Sequence, residues 1–232
     1  FLDSETSTSS SPEQYNWLQA ELNRPETQQA AFRIVCFHRP PYVNRWNGGG
    51  YIGETFVRND WSPLFVQKNV DIVISGHQHS YQRGATNGVV YVISGGGGGT
   101  LDTQIVAAWP FAGLVEWSKY HYDIMEVNGP VLSWATYDDN NLQLDMFTLQ
   151  SRVPVVSWQT TAPVGQQRGD TDHMVRAQTS LHPVLMQARI QFVQHHPTHR
   201  PDVAGGDDPD IGAMASQLGD EFYHLRVEGR DR

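Results

Sequence analysis

A chain of 232 residues, 39% of them hydrophobic, has material for one large domain or two small ones, each with a real core. Sixteen lysines and arginines against 25 aspartates and glutamates leave a net charge of −9. That argues against a nucleic-acid backbone as the main partner, because neutralising phosphates takes clustered cations. It leaves a small anionic substrate open, since a bound metal can outweigh local side-chain charge. No apolar run reaches membrane-spanning length, and the single cysteine, Cys36, rules out an internal disulfide framework.

Phe1 to Ser4 read as the end of a strand entering a polar loop, and the Ser/Thr-rich stretch to Ser11 continues that loop. Ser11-Pro12-Glu13-Gln14 reads as a helix start, with serine at the N-cap, proline in the first turn and glutamine placed for a capping box. Trp17, Leu18 and Leu22 give this helix an apolar face, and Asn23-Arg24-Pro25 closes it. Phe32 to Phe37 is a short apolar run with one arginine, a buried strand. Asn59 to Gln67 suits a helix with Trp61, Leu64 and Phe65 inward. Val70 to Ser75 and Val89 to Ser94 are two further buried strands, the second followed by Gly95 to Gly99. Strand, helix and strand with short connections predict an α/β layered sheet. From Tyr120 the texture changes. Tyr122–Val127, Val131–Tyr137 and Gln143–Leu149 read as short strands, with turns at Asn128-Gly129 and Asp138 to Asn141. Beyond residue 150, Val153–Thr160, Gln187–Val193 and Phe222–Glu228 read as strands of a small β-rich module, separated by polar loops. The expected division is therefore 1–149, with 88–149 as its terminal β-rich segment, and 150–232.

Two local constellations carry chemistry. Val35-Cys36-Phe37-His38-Arg39-Pro40-Pro41-Tyr42 sets a histidine just past a buried strand, and Pro40 stops the strand. Gly76-His77-Gln78-His79-Ser80-Tyr81-Gln82-Arg83 does the same with two histidines. In open α/β sheets the crevice beyond the strand carboxyl ends is where ligands bind. By spacing alone, the three histidines are as compatible with polar strand ends as with metal ligands.

From Phe1 to Leu149 the chain resembles the calcineurin-like metallophosphoesterases, and the purple acid phosphatases among them most closely. That family draws its metal ligands from five blocks, and Val35-x-x-His38 and Gly76-His77-x-His79 match the fourth and fifth. The Arg-Pro-Pro-Tyr after His38, the Tyr-Gln-Arg after the second block, the Ser-Pro-Glu-Gln helix start, the glycine-rich turn and the terminal Leu144-Asp145-Met146-Phe147 strengthen the likeness. The resemblance implies a layered metallophosphoesterase sandwich, of which this chain carries the C-terminal part. It also implies two metal ions, iron with zinc, manganese or iron. By the resemblance, His38 and His77 hold the divalent ion and His79 the trivalent or first-site one. A phosphate ester is hydrolysed by in-line attack of water activated between the two ions, without a phosphoenzyme.

The departures count as well. The Asp, GDxxY and GNH blocks do not occur here, so the resemblance places them upstream of Phe1 and makes that N-terminal half a required partner. No catalytic acid or base is assigned. Where plant members have a substrate-contacting histidine, residues 47–55 have none, and Tyr51 and Arg58 are the nearest candidates for substrate contact. Asp207, Asp208 and Asp210 read as a solvated turn, His121 as a structural residue, and His195, His196 and His199 as a cluster without a scaffold. The tail carries segments similar to the fibronectin-like module of many relatives. The expected function is phosphate-ester hydrolysis by the complete protein, secreted or periplasmic, with no nucleic acid and no membrane span. The rival is a non-catalytic binding or assembly chain that keeps the fold with an incomplete metal site.

Overall fold

A computed structural model describes residues 1–154, 187–195 and 222–229. The predicted first helix is present as α1 (Pro12–Asn23), followed by the short α2 (Pro25–Gln29). Two details differ from the sequence reading. Ser11 makes no side-chain cap, and Gln14 reaches back to Asp3, accepting from its N–H at 2.7 Å and donating to its carbonyl at 2.9 Å. Gln14 thus fastens the entry loop instead of closing a capping box. Leu18 and Leu22 are buried as expected, but Trp17 is 52% exposed. The buried stripe of α1 is narrower than its apolar stripe.

β1 (Ile34–Cys36) and β2 (Ile72–Ser75) are shorter than the apolar runs that encode them, because the flanking residues serve connections. Arg33 shows why. Its guanidinium donates to the Thr27, Gln28, Lys68 and Asn69 carbonyls, and its N–H to Asp71 Oδ2. The cation thereby satisfies carbonyls at the ends of α2 and of α3 (Ser62–Gln67), where the helix dipoles also favour it. The predicted 59–67 helix begins with one π-helical turn, Val57–Trp61, before α3; Trp61, Leu64 and Phe65 are buried as expected.

β3 (Tyr81–Thr86) and β4 (Val89–Ser94) form a hairpin across Asn87-Gly88, both at positive φ (51° and 81°), and β5 (Ala112–Trp117) pairs with β3. The first sheet has the order β1-β2-β4-β3-β5, parallel through β1, β2 and β4 and antiparallel beyond. β6 (His121–Asn128), β7 (Val131–Asp138) and β8 (Gln143–Gln150) form an antiparallel meander. β9 (Gln187–His195) and β10 (Phe222–Gly229) continue that second sheet on the β6 side, giving the order β10-β9-β6-β7-β8. Residues 155–160 of the predicted Val153–Thr160 strand, and Asp207, Asp208, Asp210, His196 and His199, lie outside the described residues.

Alternation along the central strands builds two cores. Val35, Val73, Val89 and Tyr91 face Leu18, Leu22, Trp61, Leu64 and Phe65 of the helical layer. Their neighbours Ile72, Ile74 and Val92 face Met125, Leu132 and Trp134 of the second sheet. Period-two side-chain geometry in strands buried on both faces forces this division. Full burial of each large side chain contributes roughly 1.5–3 kcal/mol. The result is a helix–sheet–sheet sandwich, the α/β class expected from the sequence.

Candidate metal centre

Parallel pairing of β1 with β2 sets the site. Cys36 lies opposite Ile74, and beyond the strands Phe37 N–H donates to the Ile74 carbonyl (3.1 Å) and Gly76 N–H to the His38 carbonyl (3.0 Å). The two chains leave the sheet edge side by side, so His38 and His77, each two residues past its strand, meet. His77 Nδ1 stands 3.1 Å from His38 Nε2, with the rings at 78°. Two ring nitrogens bound at 2.0–2.1 Å to one ion in adjacent positions would stand roughly 2.9–3.4 Å apart. The spacing is that of a hydrogen bond between the rings and equally that of two ligands of one metal. His77 reaches this position at φ 63°, a left-handed conformation uncommon for a side-chain-bearing residue, though histidine adopts it more readily than most.

His79 is held separately. Its N–H donates to Asp102 Oδ2 at 2.8 Å, and its Nδ1 lies 2.9 Å from the Thr100 carbonyl. A carbonyl can only accept, so this contact fixes the proton on Nδ1 and leaves the lone pair on Nε2, the arrangement typical of a metal-ligating imidazole. Gly99 and Gly95 make room. A Cβ on Gly99 would sit 2.5 Å from His79 Cε1, and one on Gly95 would sit 1.8 Å from the Gln78 carbonyl oxygen.

An aromatic wall flanks His77. Trp46 stacks on its ring (4.9 Å between centroids, 25°), and Tyr51 meets it edge-on at 5.3 Å. Tyr51, a predicted substrate contact, is thus brought to the histidine pair, and its hydroxyl is buried with no hydrogen-bond partner among the described residues. Burial pushes its pKa upward, reinforced by Glu54, so it stays a neutral phenol. Arg58, the other candidate, is used elsewhere. It donates to the Pro41 carbonyl and to Thr55 Oγ1, and its guanidinium covers the Trp109 ring at 4.9 Å.

His121 lies in the protein interior. Its ring and the Asp123 carboxylate have fully buried side chains 3.9 Å apart, between the two sheets. Burial raises the Asp123 pKa against the pull of His121 and of hydrogen bonds from Ser94, Thr136 and Trp134. Among the described residues no group of three or more His, Cys, Asp or Glu side chains gathers into one metal cluster. Sequence reasoning passed over Trp46, Thr100 and Asp102. Only the loop context marked them, as residues beside Asn47-Gly48-Gly49-Gly50 and just after Gly95–Gly99.

Residues 2–81 match the calcineurin-like phosphoesterase family. Purple acid phosphatase 18 of Arabidopsis thaliana is 29% identical over 158 residues, which cover 61% of this chain and 35% of that protein. The purple acid phosphatase PPD1 from yellow lupin seeds superposes with a TM-score of 0.52 at 22% identity, covering 60% of this chain and 28% of that one. GAP50, the anchor in the inner membrane complex of Plasmodium, superposes with a TM-score of 0.55 at 16% identity, covering 71% and 58%. The chain spans about a third or less of the length of the curated relatives it matches. Residues 2–81 carry the calcineurin-like phosphoesterase match, and the chain is similar to purple acid phosphatases in sequence and shares their fold.

Proposed function

We propose that the complete protein hydrolyses phosphate esters at a dinuclear metal centre, with His38 Nε2 and His77 Nδ1 as ligands of one ion and His79 Nε2 as a ligand of the other. The observation that carries this reading is the 3.1 Å approach of the His38 and His77 nitrogens at the ends of adjacent parallel strands. Imidazole donors suit iron, zinc and manganese, and such ions polarise a phosphoryl oxygen and make a nearby water acidic. The protein's own contribution is positional. Thr100 sets the His79 tautomer, Trp46 restricts the His77 ring, and Tyr51 presents a neutral phenol beside it. No helix among the described residues is long and apolar enough to cross a membrane.

In the complete protein, His38→Ala, His77→Ala and His79→Ala are each expected to lower bound metal and to reduce p-nitrophenyl phosphate hydrolysis by at least about 100-fold, as loss of a ligand is more severe than loss of its supporting partner. His121→Asn is expected to keep its metal. Full metal content and normal turnover in His79→Ala would refute the assignment. A second reading, a non-catalytic assembly chain, draws on the shared fold of an inner-membrane-complex anchor. Stoichiometric metal with turnover in the complete protein separates the two.

A further inference from the structure

Asp102 has its side chain in an unusual position. It is 6% exposed and belongs to no ion pair among the described residues, yet both carboxylate oxygens are engaged. Oδ1 accepts the Asn47 N–H at 2.8 Å and Oδ2 accepts the His79 N–H at 2.8 Å. Its own N–H donates to the His79 carbonyl at 2.9 Å, and its carbonyl accepts the Ser118 hydroxyl at 2.6 Å. One residue therefore ties three loops: the turn carrying His79, the Trp46–Tyr51 segment, and the link into β6.

We propose that Asp102 is the positioning residue of the site, fixing the His79 turn and the aromatic wall over His77 in one mutual geometry by taking one backbone N–H from each with one carboxylate. The chemistry suits a carboxylate. It presents two equivalent acceptors and no donor, so it serves two N–H groups at once. An asparagine has one acceptor, and its amide NH2 would face an N–H head-on. The Asn47 side chain strengthens the same junction, its Oδ1 accepting the Thr103 and Gln104 N–H groups and its Nδ2 donating to the Leu101 carbonyl. With the Asn47 backbone pinned, the adjacent Trp46 is held in its stack on His77. With the His79 backbone pinned, the ring's Thr100 contact is set by the same loop.

The metal arm of the test rests on the reading of His79 as a ligand; the backbone arm does not. Amide hydrogen exchange is measured by NMR on the 232-residue chain and on Asp102→Asn. The Asn47 and His79 amides are expected to be protected in the wild type and to lose protection together in the variant, while amides of β4 and β6 keep theirs. Zinc is then titrated into the complete protein, wild type and Asp102→Asn, read from the metal held at the histidines, and the variant is expected to bind about 10- to 100-fold more weakly, the usual cost of losing a supporting partner. Ser118→Ala, which loses a bond only to the Asp102 backbone, is expected to bind zinc within about twofold of wild type. Unchanged protection at both amides in Asp102→Asn overturns the proposal, as does loss at both with unchanged zinc affinity. If the wild type takes up no zinc at its histidines, the ligand reading falls and the exchange arm decides Asp102 alone. If Asp102→Asn does not fold, absence of protection at Asn47 and His79 in the wild type overturns the proposal and slow exchange at both supports it.

Discussion

At Gly95 an added methyl group would stand 1.8 Å from the Gln78 carbonyl oxygen, and at Gly99 one would stand 2.5 Å from the His79 ring. The two positions are close in sequence but oppose different kinds of atom. Backbone cannot step aside cheaply, so Gly95→Ala is expected to destabilise the fold by about 1–3 kcal/mol, as overpacking of a tight site does. A partly exposed imidazole can swing, so Gly99→Ala is expected to keep stability within about 1 kcal/mol while weakening zinc binding by the complete protein several-fold. Urea midpoints and a zinc titration on both variants test the pair. Equal loss of stability with equal zinc affinity would contradict the distinction. Residue chemistry explains what the sequence could disclose about the site. His38, His77 and His79 stand out in the sequence because each follows a buried strand and sits in a spaced motif. Asp102 does not, since what makes it important is two N–H groups, 23 and 55 positions away in sequence, that no local pattern records. Arg58 shows the converse: an arginine near a site can serve carbonyls as well as a substrate, and here it donates to the Pro41 carbonyl.

Among elements, the two sheets are fastened by a latch from β3 to β8. Arg83 forms a bidentate pair with Asp145 (Nε–Oδ2 2.5 Å, Nη2–Oδ1 3.0 Å), and the Tyr81 hydroxyl donates to Asp145 Oδ2 at 2.7 Å. The side chains are 17% and 7% exposed, so the pair is shielded from solvent screening. Burial works to raise the Asp145 pKa, but the hydrogen bonds from Arg83 and Tyr81 outweigh it and hold the carboxyl below its usual value. A depressed folded pKa contributes stability that is present above the unfolded value of about 3.9 and is lost as pH falls through the folded one. Asp145→Asn is therefore expected to cost roughly 1.5–3 kcal/mol at neutral pH, as for a hydrogen bond to a charged group, and progressively less toward pH of about 2. Denaturant midpoints across that range check it; a pH-independent difference would show that the charge is not what matters. β3 itself escaped sequence reading, because Tyr81-Gln82-Arg83-Gly84 lacks an apolar run and its buried Gln82 is satisfied by Asn44 and Tyr42 of a distant loop. Asn87-Gly88 was the available sign, a dipeptide suited to two successive positive-φ positions. β1, β2 and β4 were visible for the opposite reason, being largely buried and almost wholly apolar.

For the molecule as a whole, the decisive quantity is charge at the site. Its assigned donors are three imidazoles, neutral when they bind metal, and no cluster of three or more metal-binding side chains forms among the described residues. Two dications about 3.5–4 Å apart, the spacing of two-metal sites, repel strongly in a low-dielectric cleft unless carboxylates between and around them supply negative charge. His38 and His77 together offer one ion two ligands of the four a stable zinc site takes. His79 alone offers another ion one. We therefore expect the 232-residue polypeptide to keep at most one zinc ion per chain through gel filtration and to show no p-nitrophenyl phosphate turnover above the metal blank. Polypeptide that contributes aspartate ligands, covalently or as a partner chain, is expected to raise both metal content and activity. Elemental analysis and the phosphatase assay, run on the chain with and without such a segment, are the measurement. Two tightly held ions with robust turnover in the isolated chain would mean that carboxylates from outside the described residues, Asp207, Asp208 and Asp210 first among them, reach the histidines and complete the charge balance.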